Sequence, residues 1–157
     1  MTRIIAVLLL AASAATFGVG PSPKTAPPFA LTITTDKPTV RASAELWVKV
    51  QMKNISNRAV DWSSVYVNGT DRRYQYDVRG ETGLSMKKTN EHPELVPGSI
   101  QLCTLKPGES VTQDTRISWL HDLSHPGKYT VQVSRGASDN EGDGVVKSNT
   151  ITITVTQ

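Results

Sequence analysis

The feature that most constrains this chain is a run of strict two-residue alternation, ELWVKVQMKN. Its inward positions are apolar, Leu46, Val48, Val50 and Met52. A period of two is the repeat of a β-strand with one buried face and one solvated face. Such a strand must cover its apolar face with another layer, so the sequence requires further strands or helices to complete a core.

Other segments show the same period or are bounded by turn residues, and helical periodicity is rare. The segments are ALTITT, RAVDWSSVYVNGT, RRYQYDVRGETG, SIQLCTL, ESVTQDTRISWL, KYTVQVSRG and VKSNTITITVTQ. Asn68-Gly69 and Pro107-Gly108 are turn dipeptides between them, and residues 84–97 are predicted to be a loop or a short edge strand. We predict an all-β, antiparallel β-sandwich of about seven to nine strands.

The N-terminus predicts export. Arg3 is followed by an apolar run from Ile4 to Ala12 and by small residues that fit a signal-peptidase site. The run is shorter than the roughly 20 residues of a membrane-spanning helix. We therefore expect a signal peptide over residues 1–15, a proline-rich tether over 16–28 and one domain over 29–157. The mature protein is expected in the periplasm or outside the cell, without a stable membrane anchor.

Charge and cysteine content exclude several classes of function. The chain has 17 basic and 14 acidic side chains, and loss of Arg3 with the leader lowers the excess to about two. So small an excess disfavours nucleic-acid binding. Cys103 is the single cysteine, so no internal disulfide can form. We expect Cys103 to be a buried apolar residue or a free thiol that pairs between chains.

The stretch DLSHPGKYTVQVSRG resembles the penultimate strand of immunoglobulin-like and fibronectin type III-like sandwiches. Leu123, Pro126, Gly127 and Tyr129 have the spacing of a tyrosine corner, in which the hydroxyl bonds to upstream backbone. Immunoglobulin domains place a disulfide cysteine two residues after the tyrosine, and cupredoxins place a copper-binding cysteine four residues after it.

Valines occupy both of those positions, Val131 and Val133. The strand is therefore predicted to be structural, with neither a disulfide nor a copper site. The fold class is that of an immunoglobulin-like or fibronectin-like β-sandwich.

A wider resemblance covers about residues 44–133. RRYQYDVRGETG, LKPGESVT and ISWLHDLSHPGKYTVQV resemble, in order and spacing, the bacterial BsuPI-type proteinase-inhibitor domain. The resemblance implies an immunoglobulin-like fold and, by analogy, proteinase inhibition. The SDNEGDG segment, the final strand and the leader depart from the family pattern. No reactive-site loop can be assigned to particular residues.

Candidate metal sites are weak. Asp139, Glu141 and Asp143 have some of the spacing of a calcium loop, but its position 12 is Thr150. A solvated hairpin loop is the favoured interpretation. His121 and His125 are spaced like helical zinc ligands, yet Pro126 disfavours a helix there. We predict no cofactor and no metal.

Catalytic patterns are also missing. No Gly-x-Ser-x-Gly or glycine-rich phosphate loop occurs, and Cys103 lies in the middle of a strand. The chain is therefore predicted not to be an enzyme.

The candidate binding surface is aromatic and basic, a composition favoured at protein interfaces. It comprises Trp47, Arg72, Arg73, Tyr74 and Tyr76. The favoured interpretation is a charged outer face, with the tyrosines in the core and Trp47 under a loop. We expect a module that binds another protein of the envelope or the exterior, with inhibition by analogy. The alternative function is a calcium- or carbohydrate-binding accessory domain that uses the acidic loop or Trp47.

Overall fold

The computed structural model describes residues 26–67, 70–89, 99–138 and 144–157. Within them the chain forms β1 (Phe29–Thr34), β2 (Thr39–Arg41), β3 (Trp47–Asn54), β4 (Val60–Val67), β5 (Thr70–Asp71), β6 (Tyr74–Arg79), β7 (Ser99–Leu105), β8 (Ser110–Arg116), α1 (Ile117–Leu120), β9 (Gly127–Gly136) and β10 (Val145–Thr156). The predicted all-β fold is confirmed. The strand count exceeds the prediction because β2 and β5, of three and two residues, are too short to show alternation.

These strands form three hydrogen-bonded sheets. The first has the order β1-β3-β8, the second β2-β10-β9-β6 and the third β5-β4-β7. Pairing is antiparallel except between β2 and β10, which run parallel. The third sheet is built from the connections on either side of β6 in the chain, so it is an addition to the two-sheet sandwich.

The core lies between the first two sheets, where the alternation predicted it. Strand β3 alternates exposed and buried residues along its whole length, and every second residue of β9 is buried from Tyr129 to Arg135. The largest fully buried apolar side chains are Ile33, Leu46, Met52, Ile117, Ile153, Val48, Val50, Val78, Val131 and Val133. Burying one such aliphatic side chain contributes about 1.5–3 kcal/mol, so the core can hold the sheets together without a disulfide.

An irregularity in β10 joins the first sheet to the second. The register against β9 shifts after Lys147. Ser148 then accepts a hydrogen bond from the Val133 N–H at 2.9 Å. The Asn149 amide accepts from the Ile33 N–H at 2.8 Å and donates to the Ile33 carbonyl at 3.0 Å. These two bonds occupy backbone groups on the outer side of β1.

Strand β8 ends earlier than the sequence predicted. ESVTQDTRISWL was expected to be one strand, but it turns into α1 at Ile117. The Ile117 side chain is fully buried, and its N–H donates to the Leu46 carbonyl at 2.9 Å. The burial of Ile117 and its hydrogen bond to Leu46 thus override the β-propensity of the segment. Within the described residues, no helix is long and apolar enough to span a membrane.

The predicted tyrosine corner lies at the start of β9. The Tyr129 hydroxyl donates to the His125 carbonyl, four residues upstream, at 2.7 Å. Leu123 and Tyr129 are both buried, and β9 begins at Gly127. A hydroxyl bonded to upstream backbone at the start of the penultimate strand is the interaction that defines a tyrosine corner.

Candidate functional site

A groove with a volume of about 940 Å³ lies beside β6, the last strand of the second sheet. We call it the β6 groove. Its walls come from the end of β5, from residues 85–88, from α1 and from the neighbouring parts of β9 and β10. The polar and charged side chains that line it include those of Arg72, Tyr76, Asp77, Lys88, His121 and Lys147.

One side of the β6 backbone has no strand next to it. At its C-terminal end, Met86 donates its N–H to the Val78 carbonyl at 2.7 Å from that outer side. Backbone groups of successive residues in an antiparallel strand point to opposite sides. Tyr76 and Tyr74, two and four residues before Val78, therefore direct their N–H and C=O groups away from β9, toward the groove.

Arginines neutralise the two acidic residues found in the described lining of the groove. Asp71 is fully buried and lies 3.3 Å from a guanidinium nitrogen of Arg135. Asp77 is 2.9 Å from Nε of Arg79, and this pair is about half exposed. The carboxylates therefore add little net negative charge to the groove.

The basic residues of the groove have no such partners. Arg72, Lys88 and Lys147 are exposed, and no ion pair to them occurs in the described part of the chain. Among the described residues that line the groove, three cations therefore stand against two neutralised carboxylates. Its electrostatic potential favours an anionic ligand.

The two tyrosines of β6 are held as neutral phenols. The Tyr76 hydroxyl is 2.8 Å from the Thr115 hydroxyl of β8, and burial raises the pKa of Tyr76. Burial likewise raises the pKa of Tyr74 to about 12. Tyr74 is only 5% exposed, so it supplies backbone groups rather than a ring surface to a ligand.

His121 lies at the opposite wall of the groove. It is 4% exposed, and its Nδ1 is 3.4 Å from the Met86 carbonyl oxygen. Burial lowers the pKa of His121, although hydrogen bonds to the backbone of Met86 and Tyr76 oppose that shift. The imidazole is therefore mainly neutral near pH 7, and it connects the 85–88 segment to the edge of β6.

Beneath one end of the groove lies a buried polar group that we call the Arg135 cluster. The guanidinium of Arg135 stacks over the rings of Trp62 and Tyr74, at 5.3 and 5.0 Å from their centroids. It also donates to the Ser63 carbonyl of β4 and to the Asp71 carboxylate of β5. One side chain of β9 thus joins the second sheet to the third.

The carboxylate of Asp71 completes this cluster. It accepts hydrogen bonds from the Ser64 hydroxyl at 2.6 Å and from the backbone N–H groups of Val65 and Arg73 at 3.1 and 3.0 Å. Together with Arg135, these donors satisfy a charge that would otherwise be costly to bury.

The structure brings together only part of the surface predicted from the sequence. Arg72, Tyr74 and Tyr76 line the β6 groove. The ring of Tyr74 is buried under Arg135, as expected if the tyrosines are core residues. Arg73 is exposed at the turn between β5 and β6 and is absent from the lining of the groove.

Trp47 lies on a different part of the molecule. It is 49% exposed on the outer face of the first sheet, with the Arg116 guanidinium 6.0 Å from its ring centroid. Its indole N–H donates to a Glu45 carboxylate oxygen at 3.4 Å. Trp47 is therefore outward-facing, as the alternation predicted, but it belongs to a second surface.

The candidate calcium residues, Asp139, Glu141 and Asp143, lie outside the described residues, as does the Asn68-Gly69 turn. Among the residues that are described, no group of three or more potential ligands is placed to hold a metal ion. His125 is exposed and His121 is buried, so the pair does not converge. Cys103 is a free, partly buried thiol.

Sequence reasoning missed Arg135, Asp71 and the groove residues Lys88 and Lys147, and it considered His121 only as a metal ligand. Only Arg135 left a signal: it continues the inward register of Tyr129, Val131 and Val133, where a charge is unexpected. An inward arginine predicts a buried partner, and Asp71 is that partner. The other residues come together through pairings that no local pattern specifies.

No family model matches the sequence, and no curated protein matches it. The resemblance to the BsuPI-type domain therefore stays a prediction. Solved structures to which the chain shows a distant similarity include the β-glucosidase of Listeria innocua in complex with glucose. It is 17% identical, with a TM-score of 0.41, over 82% of this chain and 16% of that chain. The chain thus spans about a sixth of that enzyme's length.

Two further structures are smaller. The CARDB domain of a Pyrococcus furiosus protein is 15% identical, with a TM-score of 0.38, over 82% of this chain and 94% of that chain. The bacterial hydrophobin BslA is 9% identical, with a TM-score of 0.38, over 82% and 95% of the two chains. Likenesses this distant carry no inference about function, and the β-sandwich assignment rests on the strands and their pairing.

Proposed function

We propose that this protein is an exported, non-catalytic binding module that holds an extended, acidic segment of another protein in the β6 groove. The observation that carries the proposal is the combination of charge and backbone at one place. Three cations without ion pairs among the described residues surround a strand edge at which the backbone groups of Tyr74 and the N–H of Tyr76 point into the groove, while the Tyr76 carbonyl faces His121. Extended peptides bind such edges by adding a strand.

The chemistry of the groove supports binding rather than turnover. Its tyrosines stay protonated at physiological pH, and neither of its carboxylates is free of an arginine partner. His121 is close to backbone carbonyls, which are not reactive groups. The groove offers hydrogen bonds and positive charge, which are the means of recognising a carboxylate-rich chain.

The binding test uses a fluorescein-labelled peptide of ten glutamates, with glutamine and lysine peptides of the same length as comparisons. We expect the glutamate peptide to bind most tightly and its affinity to fall as salt is raised. The variant Lys88→Glu/Lys147→Glu should weaken binding about tenfold or more, which is roughly 1.4 kcal/mol. Fluorescence anisotropy gives the dissociation constants.

The matched control variant, Lys49→Glu/Lys53→Glu, reverses the charge of two lysines on the outer face of β3. This variant has the same net charge as the groove variant but leaves the groove intact. Equal weakening by both variants would mean that binding follows net charge alone, and the proposal would then fail. Binding should also shift the amide resonances of Tyr74 and Tyr76 more than those of β3.

Export is the second part of the proposal, supported by the leader pattern at residues 1–15. We expect the mature protein to begin near residue 16 and to be found in the periplasm or outside the cell. Mass spectrometry of the protein from each cell fraction tests this. A full-length chain that stays in the cytoplasm would contradict it.

Trp47 favours a second candidate function, carbohydrate binding. An exposed indole on a flat sheet face with polar neighbours can stack on a sugar ring. Titration with soluble glucans and xylans tests this by the quenching of tryptophan fluorescence. Quenching that is lost in Trp47→Ala would support it, whereas an unchanged spectrum with every sugar would exclude these ligands.

A further inference from the structure

Strand β7 forms the outer edge of the third sheet. On the far side of its neighbour β4, Val65 uses its N–H to reach Asp71 and its carbonyl to reach Arg72. The odd-numbered residues of β4 therefore point away from β7, and the even-numbered ones pair with it. Since Ser64 pairs with Gln101, the odd-numbered residues of β7 face β4.

The even-numbered residues of β7 consequently face outward. Ile100, Leu102 and Thr104 direct their backbone N–H and C=O groups to the edge, and no backbone hydrogen bond to these groups occurs in the described part of the chain. Their side chains share one face of the sheet. Leu102 is 79% exposed and Ile100 is 71% exposed.

Two other outer strands, β1 and β8, are protected against pairing, whereas the open part of the β6 edge lies in the β6 groove. Asn149 occupies the backbone of β1 at Ile33. Strand β8 carries the charges of Asp114 and Arg116. Charge, coverage and short length are the usual protections of a sheet edge. Strand β7 has seven residues, SIQLCTL, and not one of them is charged.

We infer that β7 is a self-association edge, at which two copies of this protein pair their β7 strands antiparallel about a twofold axis at Leu102. The sequence suits such a pairing. Leu102 meets its own copy, Ile100 meets Thr104, and Gln101 meets Cys103. The exposed leucines and isoleucines of both copies then share one face, and no like charges meet.

A second copy fits this edge better than a charged partner does. Three outward residues on each strand give about six backbone hydrogen bonds across the axis, and they join the two third sheets into one sheet of six strands. A single strand pair is smaller than a standard interface. We therefore expect a dimer with a dissociation constant in the micromolar range and little dependence on salt.

Sedimentation velocity from about 1 to 500 µM tests the pairing. The wild type should shift from monomer to dimer across this range, at low and at high salt alike. Leu102→Lys places two like charges at the axis and should keep the protein monomeric throughout. Leu84→Lys is the matched control, because Leu84 is 72% exposed at another site, and it should dimerise as the wild type does.

Two proline variants test the backbone directly. Leu102→Pro removes an N–H that faces outward, so the fold should survive while dimerisation is lost. Gln101→Pro removes an N–H that bonds to β4 and should destabilise the monomer. A wild type that stays monomeric at 500 µM, or a folded Leu102→Pro variant that still dimerises, overturns the inference.

The register of the pairing between the two β7 strands can be tested by disulfide formation. Gln101→Cys should give covalent dimers with Cys103 of the second copy when oxidised glutathione is the oxidant, because facing residues lie within disulfide range. The wild type, whose Cys103 faces Gln101, should give few. Equal yields from both proteins would show that the axis is not at Leu102.

Discussion

The first and second sheets are joined by aliphatic side chains, whereas the third sheet is joined to the second through the Arg135 cluster. Between the first two sheets, valines, isoleucines and leucines interdigitate without directional bonds. At the third sheet, one guanidinium must satisfy a carboxylate, a carbonyl and two aromatic rings at once.

The two regions should respond differently to substitution. An aliphatic core loses stability in proportion to the volume removed, since its neighbours can partly relax. A buried ion pair loses far more when one partner is removed, because the other charge is left in an apolar setting. The first region sets how stable the sandwich is. The second fixes where the third sheet, and with it one end of the β6 groove, is placed.

The largest effect is expected from Arg135→Met. The fully buried carboxylate of Asp71 would lose its cation, and we expect a loss of about 3–5 kcal/mol in the free energy of unfolding. Urea denaturation followed by tryptophan fluorescence measures it. The double variant Asp71→Asn/Arg135→Met should recover part of the loss. A loss below about 1 kcal/mol in the single variant would contradict the importance of the pair.

Val131→Ala tests the aliphatic region. Val131 is fully buried, and removing its two methyl groups should cost about 2–3 kcal/mol, from lost burial and an added cavity. Val145→Ala is the control, since Val145 is 64% exposed, and it should stay within about 0.5 kcal/mol of the wild type. Similar losses in the two variants would contradict the assigned register of β9 and β10.

The aliphatic region is also the part that the sequence predicts well. Alternation in β3, β9 and β10 identified the buried residues, because burial of one face follows directly from the period of a strand. The spacing of Leu123 and Tyr129 pointed to the bond at His125 for the same reason, since the motif is local. Both predictions depend on residues close together in the chain.

The β6 groove could be predicted only in part. Arg72 and Tyr76 lie in or near one strand and were found together, whereas Lys88, His121 and Lys147 come from three other segments. Their meeting depends on the pairing of β6 with β9 and on the packing of residues 85–88 against α1. Periodicity along the chain does not encode such pairings. In addition, β5 and α1 are too short to show a strand or helix period.

Tyr129→Phe tests how much a single hydrogen bond, the one at the tyrosine corner, adds to the stability of the sandwich. The variant keeps the ring and removes only the donor to the His125 carbonyl. We expect a loss of about 1 kcal/mol, typical of one hydrogen bond, measured by urea denaturation. Tyr66→Phe is the control, because its hydroxyl bond to Gln113 is longer, at 3.2 Å. If Tyr66→Phe lowered the free energy of unfolding more than Tyr129→Phe does, the tyrosine corner would not be the more stabilising of the two hydrogen bonds.

The smallest effect is expected from the titration of His121, which links the groove to the stability of the fold. Burial holds its pKa in the folded protein below the unfolded value, while Lys88 adds to that shift and Asp77 opposes it. The folded state therefore binds a proton less readily than the unfolded state does. The contribution of neutral His121 to the free energy of unfolding is present above the unfolded pKa of about 6.5. This contribution is lost as the pH falls through the folded pKa.

We therefore expect the free energy of unfolding to decrease as the pH falls from 7.5 to 4.5, and to decrease less in His121→Gln, which keeps a donor for the Met86 carbonyl. His125→Gln is the control, because His125 is exposed, and it should follow the wild type. Urea denaturation at four pH values across this range gives the slopes. Equal slopes for the wild type and His121→Gln would show that the burial of His121 does not disfavour its charged form.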